Sequence, residues 1–143
     1  MKRTDYIRYL SIIMFGVGLL GYLIVNSWSL YSASYKNISV DQLAEMMNNK
    51  DFLLINVHIP YEGEISQTDL LIPFNAVEKL KNELPNDKDT KIVLYCMSGN
   101  MSRIAAEKLT SMGYTQVYNL QNGMKDWKRN GKQIWKRKKF FKN

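Results

Sequence analysis

The chain has 143 residues, room for one domain, and a net charge of +7 from 20 basic and 13 acidic side chains. A single cysteine excludes an internal disulfide and any C-x-x-C dithiol site, and one cysteine with one histidine cannot close a zinc site. The charge sits at the ends, with +2 on residues 1–9 and +6 on residues 132–143; seven less those eight leaves the body one unit negative, so nucleic acid is not an expected partner.

No charged residue lies between Arg8 and Lys36, and Leu10 to Val25 is almost unbroken hydrocarbon. A membrane-spanning helix needs about 20 mainly apolar residues, so residues 9–28 predict a transmembrane anchor. The alternative is a cleaved export signal, with Ser32-Ala33-Ser34 small enough for a peptidase. Lys2, Arg3 and Arg8 precede the apolar run, so residues 1–8 are expected in the cytoplasm and the rest of the chain outside it, at the cell membrane. Gly16-Val17-Gly18-Leu19-Leu20-Gly21 matches the dinucleotide pattern G-x-G-x-x-G, but no strand precedes it and it lies inside the apolar segment. Small residues of a membrane helix explain it better, and no cofactor is expected.

Residues 29–37 read as a polar stalk, 38–134 as the folded domain and 135–143 as a basic and aromatic tail. Ser39 with Gln42 forms a capping-box pattern, and Leu43, Met46 and Met47 give the buried face of a short helix. Residues 52–57 are an apolar run suited to a buried strand. A looser stretch follows from His58 to about Asp69, then Leu70-Leu71-Ile72 before Pro73, and a helix is expected over 75–83. Residues 91–95 are the clearest strand and run straight into Cys96. From about Met101 a helix follows, with Ala105, Leu109 and Met112 on one face and Gly113 at its C-terminal cap. Residues 116–120 are another strand and 123–130 another helix, with Met124 and Trp127 inward. Strands alternating with helices predict an α/β fold of three layers, α/β/α, around a mostly parallel sheet. Ligands of such sheets bind beyond the carboxyl ends of the strands, which is where Cys96 stands.

The stretch Cys96-Met97-Ser98-Gly99-Asn100-Met101-Ser102-Arg103 leaves a buried strand and opens a helix. A thiol there can lie in a ring of backbone N–H groups at the positive end of a helix dipole, which favours the nucleophilic thiolate and receives anions. On spacing alone, Cys96 is equally well a small apolar residue ending a strand.

Residues 38–134 resemble the single-domain rhodaneses, a sulfurtransferase family. The resemblance rests on Leu54-Ile55-Asn56-Val57-His58, on Ile92-Val93-Leu94-Tyr95-Cys96 with Ser98-Gly99-Asn100, and on Gly113-Tyr114, Val117-Tyr118-Asn119-Leu120, Gly123-Met124 and Trp127. The stretch Asn56 to Ile65 (NVHIPYEGEI) is similar to a subgroup often found behind export signals. The resemblance implies that Cys96 takes sulfane sulfur from thiosulfate or a persulfide, carries it as a persulfide, and passes it to a thiol or cyanide. It implies a substrate cradle from Met97 to Arg103, covalent catalysis without a metal or organic cofactor, and no separate general base.

The chain departs from the family where many members carry loop arginines: those positions hold Met97, Asn100 and Met101, and the nearest cation is Arg103. The second strand ends in Asn56 and His58 where the family usually has Asp and Arg. His58 reads as a hydrogen-bonded structural residue, and Glu62 and Glu64 as polar loop contacts. A cysteine phosphatase or arsenate reductase wants C-x5-R, and Ser102 occupies that arginine position. A non-catalytic domain that binds a partner or senses oxidants through Cys96 is the remaining alternative. The tail is suited to anionic lipid or wall polymer, at about 1 kcal/mol per basic residue near a charged surface, or serves only as a solubilising end.

Overall fold

The computed structural model describes residues 34–79 and 81–137. The expected anchor over 9–28 lies outside them; among the described residues no helix is long and apolar enough to cross a membrane. The elements are β1 (Lys36–Ile38), α1 (Val40–Asn48), β2 (Leu53–Asn56), β3 (Leu70–Leu71), a 3-10 turn (Lys81–Glu83), β4 (Ile92–Tyr95), α2 (Asn100–Ser111), β5 (Val117–Leu120) and α3 (Gly123–Arg129). The five strands form one sheet in the order β1-β5-β4-β2-β3, with every pair parallel.

The period of two along β4 explains the layering. Ile92 and Leu94 enter one core with Ala105, Ala106 and Leu109 of α2, while Val93 and Tyr95 enter a second with Leu43 of α1 and Met124 and Trp127 of α3. All four β4 residues are buried, which is why this strand carries no polar side chain except the Tyr95 hydroxyl. The expected three-layer α/β/α architecture with a parallel sheet is present.

Local sequence sets the helix ends. Ser39 and Gln42 form the expected capping box, with Gln42 N–H donating to Ser39 Oγ at 3.2 Å and Ser39 N–H to Gln42 Oε1 at 2.8 Å. At the end of α2, Tyr114 N–H returns to Leu109 O at 3.2 Å and Gly113 N–H to Thr110 O at 3.0 Å, the paired bonds of a Schellman turn. Tyr114 and Leu109 pack in the same core, so the turn also buries apolar surface.

Three boundaries differ from expectation. Lys36 and Asn37, read as stalk, are in β1 and pair with Tyr118 and Asn119. The helix expected over 75–83 is a run of turns followed by the 3-10 turn, because the stretch buries few residues, Val77 among them, and so gains little from helical packing. The tail begins later than residue 135. Trp135 and Glu64 exchange two backbone bonds, of 2.7 and 2.8 Å, as an antiparallel bridge, and Arg137 Nε donates to both Glu64 carboxylate oxygens at 2.8 Å.

Candidate active site

Cys96 follows the last residue of the central strand and is 1% exposed. Its Sγ accepts the Gly99 N–H at 3.1 Å and lies 3.5 Å from Ser102 Oγ, a fully buried hydroxyl. The Ser102 hydroxyl also sits 3.2 Å from Gly99 O. Having one proton, it donates either to that carbonyl or to the sulfur. The first intrahelical bond of α2 runs from Arg103 N–H to Gly99 O at 3.0 Å. The amides of Asn100, Met101 and Ser102 therefore precede the helical ladder and are not consumed by it. Together they form the positive end of a 12-residue helix beside the thiol.

The loop is held from behind by α3. Met124 N–H donates to Cys96 O at 2.8 Å and Lys125 N–H to Met97 O at 2.9 Å. Both carbonyls are thus satisfied by the first amides of a helix. This packing needs Gly123 (φ +57), since a Cβ there would enter the Cys96 backbone. Gly99 turns the chain at φ +89, where a Cβ would lie 2.9 Å from Asn122 N.

The expected site residues are adjacent in the loop but unequal. Ser98 and Asn100 are exposed, and Met97 and Met101 are half-buried against opposite cores. Arg103 points away to Glu107, pairing at 2.6 Å on the helix surface.

The second strand contributes a further group. His58 N–H donates to Asn56 Oδ1 at 3.0 Å, and Asn56 Nδ2 donates to Gly63 O at 2.9 Å, which folds the chain back after β2. His58 Nε2 then meets Glu62 Oε2 at 2.6 Å. The pairing was legible only in the H-x3-E spacing, and the role of α3 only in a glycine opening a helix.

Tyr95 faces the other core. Its hydroxyl accepts the Ile65 N–H at 3.0 Å and meets Thr68 Oγ1 at 2.6 Å. Thr68 spends its own proton on Ile65 O, so Tyr95 donates to Thr68. Burial pushes the phenol well above its usual range and keeps it a neutral donor.

Residues 39–130 match the family described as Rhodanese-like domain. Over 89 residues the chain is 34% identical to the sulfurtransferase of Allochromatium vinosum, covering 60% of this chain and 80% of that protein. It is 39% identical over 76 residues to YqhL of Bacillus subtilis, covering 52% of this chain and 59% of that one. Among solved structures, the rhodanese-related protein of Thermoplasma volcanium aligns with a TM-score of 0.60 at 26% identity, over 70% of this chain and 97% of the other.

Proposed function

The chain belongs to the rhodanese-like domain family, and on that premise we propose that it is a sulfurtransferase working through a persulfide on Cys96. The observation that carries this reading is the thiol seated on the Gly99 amide at the head of α2. In the reaction, the Cys96 thiolate attacks the sulfane sulfur of the donor. The donor's sulfur–sulfur bond breaks, and its electron pair leaves with sulfite when the donor is thiosulfate, or with the thiol part when it is a persulfide. The free amides from Asn100 to Ser102 bind the resulting anionic sulfur. An acceptor thiol or cyanide then removes it and restores the thiolate.

The cradle meets a donor with dipoles rather than with a side-chain cation, because Arg103 is engaged by Glu107. That favours persulfides, which carry less charge than the thiosulfate dianion. Mass spectrometry after incubation with donor tests the reading. A mass gain of about 32 on the Cys96 peptide, absent in Cys96→Ser, is expected; transfer at the wild-type rate by Cys96→Ser refutes it. The same proposal places the domain outside the cytoplasm, attached through residues 9–28, on the strength of the uncharged run after Arg8.

A further inference from the structure

Ser102 brings a side-chain hydroxyl to the nucleophile. It lies in the first turn of α2 and is fully buried, and Cys96 is 1% exposed, so water has little access to the space between them. Its Oγ stands between two acceptors, Gly99 O at 3.2 Å and Cys96 Sγ at 3.5 Å. The longer distance is ordinary for sulfur, whose radius exceeds that of oxygen.

The hydroxyl proton goes to the better acceptor, and which one is better depends on the state of the sulfur. A thiolate is charged and makes the stronger, charge-assisted bond. The bridging sulfur of a persulfide is neutral and a weak acceptor, so there the carbonyl wins. Gly99 O already holds the Arg103 N–H at 3.0 Å, so it can gain or lose the hydroxyl without being left unsatisfied. The Gly99 N–H, 3.1 Å from the sulfur, belongs to the backbone and cannot turn away. The hydroxyl needs only to rotate about its C–O bond.

We propose that Ser102 is a catalytic residue of the unloading half-reaction, its hydroxyl turning from Gly99 O to Cys96 Sγ as charge returns to that sulfur. The inference rests on Cys96 carrying a persulfide. With sulfite as acceptor, the sulfite sulfur bonds to the outer sulfur of Cys96–S–SH. The bond between that outer sulfur and Sγ breaks, and its electron pair stays on Sγ. The product leaves as thiosulfate, the outer sulfur's proton goes to solvent, and the hydroxyl proton stays on Ser102. A hydrogen bond that strengthens as the charge develops lowers this barrier. Loading runs the other way: charge leaves Sγ, so the bond is strongest in the ground state and gives that step no help.

Single-turnover kinetics on the full-length chain, followed by the mass gain on the Cys96 peptide, separate the two halves. Loading from excess cysteine persulfide and unloading to sulfite are both measured at about pH 9.5, where an ordinary thiol is ionised. Ser102→Ala suits the helix, since alanine is the best helix former. It should load at least as fast as wild type and unload about 10-fold more slowly, the effect of one hydrogen bond to a charged group. Ser102→Thr, which retains a hydroxyl, should unload close to the wild-type rate. A substitution that merely loosened the loop would slow both halves together. Equal slowing therefore overturns the proposal, as does wild-type unloading by Ser102→Ala, or unloading by Ser102→Thr as slow as by Ser102→Ala. Each of these results leaves sulfur transfer through Cys96 standing. A wild-type chain that never gains sulfur on Cys96 sinks both.

Discussion

Met97 stands directly after the nucleophile, half-buried, where an arginine would bring a charge to the donor. A helix terminus gives an anion typically 0.3–1 kcal/mol, against about 1.5–3 kcal/mol for a hydrogen bond to a charged group. Met97→Arg is therefore expected to raise kcat/KM for thiosulfate at least several-fold, toward the one to two orders of magnitude that this energy represents. A neutral donor should change little, and paired steady-state kinetics on the two donors check it. Improvement of both donors alike would mean the cradle is not limited by charge. At this scale the sequence was partly legible. Cys96 could be singled out because a strand runs into it and a helix leaves it. The orientation of Arg103 could not, since Glu107 one turn along competes for it and the i,i+4 pairing wins only in three dimensions.

The elements behind the loop repeat that pattern. β2 and β4 were readable as short apolar runs buried on both faces, and α2 and α3 because each has a period that matches one buried face. The 75–83 segment was misread, since helix-forming residues without a face to bury do not hold a helix. The network around Tyr95 had no sequence signal, because its partners Ile65 and Thr68 lie 30 and 27 residues away. It links β4 to the loop that follows β2, and Ile65 is fully buried. Tyr95→Phe should leave the Ile65 N–H unpaired and cost about 1–3 kcal/mol. Chemical denaturation is expected to show a lower midpoint with an unchanged slope. An unchanged midpoint would mean that the loop re-pairs elsewhere.

Across the whole molecule, the proposed outside location predicts that protease added to intact spheroplasts digests residues 36–143. Protection until lysis would reverse the orientation read from Lys2, Arg3 and Arg8. The sheet order carries its own consequence for biosynthesis. The first strand is partnered by the last, with Asn37 bonded to Asn119 across 82 residues, and the loop after β2, already tied to Tyr95, is clasped further by Trp135 and Arg137. A chain leaving the ribosome holds β1 unpaired until β5 has emerged, and such distant pairings form late because loop closure comes first. The α3 amides that hold the Cys96 loop emerge later still, at Met124 and Lys125. A nascent chain, or one terminated before α3, therefore carries the Cys96 loop without the two bonds that hold it from behind.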